Sequence, residues 1–242
     1  MNETGARAVP TARAAARRFL VDNTFLGGLP GTLTDRLMAL GALRNPGKGE
    51  MLFQQEDAGE SLIVILAGTV KVTRFTAEGR ELVLNFLKAG DIIGEIAVLD
   101  GGPRTAGATM LEPGAIFVIQ RRDLVPVLLA APEALMEVVG VLCEKLRATS
   151  DIVQTQHLDL VGRFAAGVLR LAALHGRRGS RGVEVDLAAS QQDLGAYLGM
   201  SRENASRLIA RLGREGVLSS ERRLLILHDM ERLQALADQG AV

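Results

Sequence analysis

Glu95 and Arg104 stand nine residues apart in the stretch GEIAVLDGGPRTA, residues 94–106, separated by an apolar run and a Gly-Gly-Pro turn. A carboxylate accepts hydrogen bonds from a pair of hydroxyls, and a guanidinium fork matches two phosphate oxygens. Gly94 lets backbone come close to a ligand. Gly101, Gly102 and Pro103 let the chain curl, so that Thr105 and nearby N–H groups can face the same object. A sugar phosphate fits that description. An ordinary Glu–Arg ion pair closing a turn is the plainer reading, and the complete pattern argues against it.

A second group with chemical potential lies near the C-terminus. In SRENASRLIARL, Ala205, Leu208, Ile209 and Leu212 make the inward stripe of a helix, and Arg202, Glu203, Ser206 and Arg207 fall on its outward side. Taken singly, such charges describe a solvated helix face; together, after a Gly-x-Ser turn, they favour base reading. Ser190 with Asp193 forms a capping-box start for a preceding helix with an apolar face of Leu194, Tyr197 and Leu198; Gly199 ends it and Ser201 caps the next. Ser190, Gln191 and Ser201 are candidates to donate to phosphates.

The elements that must hold these groups follow from pattern. Between Gly47 and Ile119, SLIVILAG, TVKVTRF, ELVLNFL and AIFVIQ alternate with turn-rich segments, which indicates a small all-β sandwich or barrel. A helix follows over residues 132–157. Leu135, Leu142 and Thr149, with Val139, Leu146 and Val153, supply the a and d positions of three heptads, a seam for a second copy of the chain. Packing of this stripe on the chain's own barrel is the alternative. Thr149 and Ser150 break the stripe with hydroxyls, which either set the register or face a ligand. RRGSRG reads as a flexible basic loop, and VLSSERRLLILHD as a short hairpin with residues 219–223 at its tip.

Composition bounds the rest. With 242 residues, 48% of them apolar, the chain can bury a core of one large or two modest domains. Its one cysteine, Cys143, has no intrachain partner, which points to a reduced, intracellular protein and excludes a four-cysteine metal site. No apolar run approaches the roughly 18 residues of a membrane span. The N-terminal Arg/Ala pattern faintly resembles a transit peptide, but a frayed tail entering a short helix explains it more simply. Formal charge is zero, yet after residue 160 there are twelve Arg, no Lys and nine acidic residues, so that part is modestly basic.

Gly94, Glu95, Ile96, Ala97, Pro103, Arg104, Thr105 and Ala106 closely resemble the phosphate-binding cassette of cyclic-nucleotide-binding domains. With the downstream helix pair, the chain is similar to the catabolite activator (CRP/FNR) family from residue 25 onward. The resemblance implies an α+β architecture: an N-terminal extension (1–24), a cyclic-nucleotide-binding β-barrel of jelly-roll type (25–131), a dimerisation helix (132–158) and a C-terminal winged helix-turn-helix (159–242). It implies that Glu95 takes the ribose 2′-hydroxyl, Arg104 the cyclic phosphate with Thr105 assisting, and the Thr149–Ser150 pair the adenine amino group, one residue from each subunit. The resemblance of Thr149 and Ser150 to the adenine-contacting pair makes cAMP the first expected effector, and Thr105 beside Arg104, which resembles domains that favour a syn guanine, makes cGMP the second.

Arg202, Glu203 and Arg207 match the family's base-reading positions. Arg suits guanine and Glu accepts from cytosine, which implies a TGTGA-like half-site in double-stranded DNA. The expected protein is thus a cytoplasmic homodimer acting on DNA without catalysis, with RNA polymerase as a further partner by analogy. A haem or iron–sulfur sensor would need His or several Cys in the sensor half; all three histidines lie beyond residue 150. Neither those groups nor a metal is expected. The C-terminal unit is too short for a kinase and lacks a Walker loop, a Gly-x-Ser-x-Gly elbow and a zinc pattern. The remaining alternatives are a ligand-binding or dimerisation module without sequence-specific DNA reading, and a regulator of this build that senses another effector.

Overall fold

The computed structural model describes residues 12–76, 79, 81–155 and 157–239; the first residues of the Arg/Ala-rich N-terminus lie outside them. Helix α1 (Ala12–Asn23), a 3-10 turn (Phe25–Gly28) and α2 (Gly31–Leu40) lead into eight strands: β1 (Ala42–Arg44), β2 (Met51–Phe53), β3 (Ser61–Ala67), β4 (Val70–Phe75), β5 (Glu81–Leu87), β6 (Ile92–Ile93), β7 (Gly107–Met110) and β8 (Ala115–Gln120). They form two antiparallel four-stranded sheets, ordered β1-β8-β3-β6 and β2-β7-β4-β5.

Strand β3 explains why its sequence reads as an unbroken apolar run rather than an alternation. Ile63 and Ile65 pack between the sheets with Val70, Leu87, Met110 and Ile116. Leu62 and Val64 point the other way, onto Leu20, Leu26, Leu37, Leu124 and Val138 of the surrounding helices. Both faces are covered, so neither tolerates polar side chains. The short helix α3 (Glu95–Asp100) lies between β6 and β7, and α4 (Arg121–Ala130) follows β8.

Helix α5 is described over Pro132–Thr155, within the expected 132–157. Ala134 and Val138 anchor its first turns on the barrel. Met136 in the same turns, and Val139, Leu146 and Val153 further along, remain exposed, at 65, 36, 68 and 57%. The beginning of the helix packs on the barrel, and the later apolar residues of the stripe lie open to solvent in the single chain. Thr149 and Ser150 donate to the carbonyls of Lys145 and Leu146 at 2.8 and 3.1 Å, so neither hydroxyl interrupts the helix.

Asp159 caps α6 (Leu160–His175) by accepting from the Gly162 N–H at 2.7 Å. The C-terminal unit continues with β9 (Gly176–Gly179), β10 (Gly182–Asp186), α7 (Gln191–Tyr197), α8 (Arg202–Arg214), β11 (Leu218–Glu221), β12 (Leu224–Leu227) and α9 (Met230–Gln239). Its sheet is ordered β11-β12-β10-β9. Two expectations need correction here. RRGSRG is part of a β-hairpin, with residues 177–179 in β9, Gly182 opening β10 and only Ser180 and Arg181 turning, because β10 pairs with β12 and gives β9 an edge to extend. The tip of the wing is narrower than residues 219–223: pairing reaches Glu221 opposite Leu224, so only Arg222 and Arg223 turn. Arg222 takes a positive φ of 53° there.

Candidate ligand cavity and nucleic-acid interface

The cassette is built around a glycine that no other residue can replace. Gly94 has φ of 89°, and a Cβ on it would come within 2.1 Å of Arg104 Nη1 and 2.8 Å of the Ser61 carbonyl. Arg104 fills that space. Its Nη1 donates to the Gly94 carbonyl at 3.1 Å, and its Nη2 donates to the carbonyl and hydroxyl oxygens of Ser61 at 2.7 and 3.0 Å. The guanidinium also lies 4.2 Å from the Phe53 ring centre. The Arg104 backbone exchanges hydrogen bonds with Glu56 and Asp57, which pins the loop between β2 and β3 against the cassette.

Arg104 is only 4% exposed, and its Nε is buried without a hydrogen-bond partner. Burial pulls the guanidinium below its ordinary value, with the negative charges of Glu95 and Asp57 opposing that shift. A desolvated cation with an unused donor is suited to a phosphate, which supplies both charge and acceptors.

Glu95, the first residue of α3, is equally buried at 4%. Among the described residues no ion pair joins it to Arg104. Its Oε1 instead accepts from Lys145 Nζ at 2.8 Å, and the same ammonium donates to the Ile92 carbonyl at 2.9 Å. The second carboxylate oxygen has no hydrogen-bond partner among the described residues and is available to a hydroxyl. Lys145 is the site residue that the sequence did not reveal. Its only signal is its position on α5, one turn before Thr149.

A cavity of about 710 Å³ joins these groups. Gly94, Glu95, Ile96, Ala97, Arg104, Thr105 and Ala106 all line it, as does Thr149 from α5. Strand β5 contributes Leu84, Asn85 and Leu87 to the opposite wall. Ser150 is absent from that lining and is exposed on the far side of the helix. A buried cation, a buried carboxylate and an apolar wall can together hold the phosphate, sugar and base of one nucleotide.

In the C-terminal unit, Ser201 caps α8 by accepting from the Asn204 N–H at 3.2 Å. Ala205, Leu208, Ile209 and Leu212 are buried, while Arg202, Glu203 and Arg207 are exposed. The Arg207 guanidinium donates to the Asn204 side chain. Hydrogen bonds with its own backbone and the Ser201 hydroxyl hold the Glu203 carboxyl below its ordinary value, so it is an acceptor at neutral pH. Ser190 completes the capping box of α7 with Asp193, and the Gln191 side-chain Oε1 accepts from the Ser206 hydroxyl at 2.8 Å, tying the two helices together. Gly195 permits their crossing, because a Cβ there would sit 3.1 Å from the Met200 carbonyl. Ser190, Gln191, Ser201, Arg202, Glu203 and Arg207 all belong to this α7–α8 unit.

Among the described residues, no group of three or more His, Cys, Asp or Glu side chains is arranged to hold a metal ion. Among the described residues, no single helix is long and apolar enough to cross a membrane; α4 and α5 pass that test only as a pair, bent by 115°.

A β-sandwich with a buried Glu–Arg cassette, joined by a long helix to a winged helix-turn-helix, defines a ligand-responsive DNA-binding protein. Comparison with known families agrees domain by domain. Residues 43–130 match the cyclic nucleotide-binding domain, and residues 162–236 match the Crp-like helix-turn-helix domain. The CRP-like cAMP-activated global transcriptional regulator of Mycobacterium tuberculosis is 28% identical over 187 residues, 77% of this chain and 84% of the relative. The anaerobic regulatory protein of Bacillus subtilis is 26% identical over 84% of this chain and 86% of its own length. The solved structure of FixK2 from Bradyrhizobium japonicum superposes with a TM-score of 0.71 at 21% identity, covering 81% of this chain and 96% of that one, a likeness of fold. The chain belongs to the CRP/FNR family of transcription regulators.

Proposed function

We propose that this regulator is a homodimer switched by a cyclic nucleotide, with cAMP the first effector and cGMP the second, and that the liganded dimer reads a pseudo-palindrome of TGTGA-like half-sites. The observation that carries this reading is the pair of buried, incompletely satisfied groups across one cavity: the Arg104 Nε without a partner and the free oxygen of Glu95. The cyclic phosphate goes to Arg104, with Thr105 beside it, and the ribose 2′-hydroxyl donates to Glu95. Thr149 meets the base within its own cavity. Ser150, on the exposed seam beside Leu146, is directed to the nucleotide of the partner.

The exposed stripe of α5 supports dimerisation through residues 132–158, with residues 25–131 as sensor, 159–242 as DNA-binding unit and 1–24 as an N-terminal extension. A dimer presents two α8 helices about 34 Å apart, one turn of DNA. Arg202, Glu203 and Arg207 read bases, and Ser190, Gln191 and Ser201 contact phosphates. The M. tuberculosis relative, described as cAMP-activated, supports cAMP as effector. The protein works in the cytoplasm by binding rather than catalysis, and its exposed C-terminal unit suits contact with RNA polymerase. Isothermal calorimetry with cAMP and cGMP tests the effector assignment: binding of cAMP that Arg104→Ala abolishes is expected, and heat from neither nucleotide would refute it.

A further inference from the structure

We propose that Lys71 is a positioning residue that docks the DNA-binding unit on the sensor sheet, and that strand β5 carries the state of the ligand cavity to it. The inference rests on the cyclic-nucleotide reading for the identity of the effector, but not for the docking itself.

Lys71 Nζ lies 2.8 Å from Asp193 Oδ1 and 2.9 Å from Glu81 Oε1. The Lys71 and Asp193 side chains are only 14 and 15% exposed, so the pair is sheltered from screening. Asp193 has a second task. It accepts from the Ser190 N–H at 3.0 Å and the Ser190 hydroxyl at 2.6 Å, completing the capping box of α7. One carboxylate therefore fixes the first turn of α7 and ties that turn to β4. Burial alone would lower Lys71, but the Asp193 and Glu81 carboxylates outweigh it and hold the ammonium above its ordinary value.

Strand β5 lies beside this pair and faces two ways. Asn85 and Leu87, together with Leu84, line the ligand cavity. Val83 and Phe86 are instead buried in the core of the DNA-binding unit, where the Phe86 ring sits 5.4 Å from that of Tyr197 in α7. The Tyr197 hydroxyl accepts from Arg170 Nε of α6 at 2.6 Å. Pairing shifts register between Val72 and Thr73, opposite Asn85 and Val83, leaving Leu84 as a bulge at the turnover between the two environments. A ligand pressing on Leu84 and Leu87 cannot move β5 without moving Phe86, because packed cores rearrange rather than deform. From α7 the Gln191–Ser206 hydrogen bond leads to α8. The outward residues of α8 remain exposed in this arrangement, so the docking orients the reading helix rather than hiding it. On the wing, Arg223 and Glu112 make a second tie at 2.6 Å, so loss of Lys71 loosens the unit without releasing it.

The test uses the full chain and the variants Lys71→Gln and Lys71→Arg. Affinity for a palindromic TGTGA-type duplex is measured with and without cAMP, and backbone hydrogen exchange is followed without nucleotide. Lys71→Gln should lower the cAMP-induced gain in DNA affinity by about tenfold, a usual size for coupling between sites, and should speed exchange in α7 while leaving α1 and α2 unchanged. Lys71→Arg should restore both. Unchanged coupling and unchanged α7 exchange in Lys71→Gln would overturn the proposal. So would faster exchange spread evenly over the chain, which reports lost stability and not lost docking. Should the wild-type chain bind no cyclic nucleotide, the effector reading fails, while exchange in α7 still decides the role of Lys71.

Discussion

Replacing Lys145 by Met separates the two partners of Glu95. The Glu95 side chain is 5% exposed and that of Lys145 33%, with 2.8 Å between Nζ and Oε1. Breaking a fully buried ion pair costs about 3–5 kcal/mol, because the remaining charge is left uncompensated. The partial exposure of Lys145 admits water and screening, which reduces the expected loss to about 2 kcal/mol. At ~2–4 °C per kcal/mol for a chain of this size, the melting temperature should fall by about 4–8 °C. A ribose hydroxyl donating to Glu95 offers the carboxylate a new partner. Saturating cAMP should therefore narrow the gap between variant and wild type, beyond the common stabilisation that any ligand gives. Thermal denaturation followed by circular dichroism, with and without nucleotide, reads both effects. The double variant Glu95→Gln/Lys145→Met should recover most of the stability, since no unpaired charge remains. A gap that cAMP leaves unchanged or widens would refute the assignment of Glu95 to the ribose.

Three further outcomes follow from the geometry. Gly94→Ala places a Cβ 2.1 Å from Arg104 Nη1 at a positive φ, so cAMP binding measured by calorimetry should weaken at least about a hundredfold if the guanidinium loses ~3 kcal/mol of phosphate contact; retention of wild-type affinity would remove Arg104 from the site. Burial first, then the charge of Lys88, lowers the His175 ring from 6.5 to about 4, against the opposing effect of a hydrogen bond that the ring donates to the Phe86 backbone. The unfolded chain thus binds more protons across that window, and stability should rise as pH climbs from about 4 to 6.5. His175→Gln should flatten the rise by about 2 kcal/mol, discounted for solvent screening, in urea melts; an unaltered profile would contradict the burial of a neutral ring. Arg207→Ala should cost about 1–3 kcal/mol on the cognate duplex and relax preference at one base pair, as scored by binding to a panel of half-site variants; uniform weakening across the panel would make Arg207 a phosphate contact.

The cassette could be read from the sequence because its parts are local. Gly94, Glu95, Arg104 and Thr105 lie within twelve residues of sequence that span the short helix α3, and all of them line the cavity. The apolar stripe of α5 and that of α8 were legible for a similar reason, since helical periodicity determines which side chains share a face. Lys145 was not legible, because its contact with Glu95 spans 50 residues and depends on how α5 folds back over the barrel. Phe86 was hidden differently: in an apolar strand it reads as core of its own sheet, and nothing local says that the core it joins belongs to the C-terminal unit. The β9–β10 hairpin looked like a loop because Gly, Arg and Ser have low strand propensity, which pairing with β12 overrides.

The central claim is that a cyclic nucleotide held between Glu95 and Arg104 controls DNA reading by α8. Fluorescence anisotropy of a labelled TGTGA-type palindrome, titrated with the full chain in the presence and absence of cAMP at fixed salt, tests it most directly. The account predicts affinity at least about tenfold higher with cAMP, and no such gain in Arg104→Ala. Equal affinity with and without the nucleotide in the wild-type chain would contradict it.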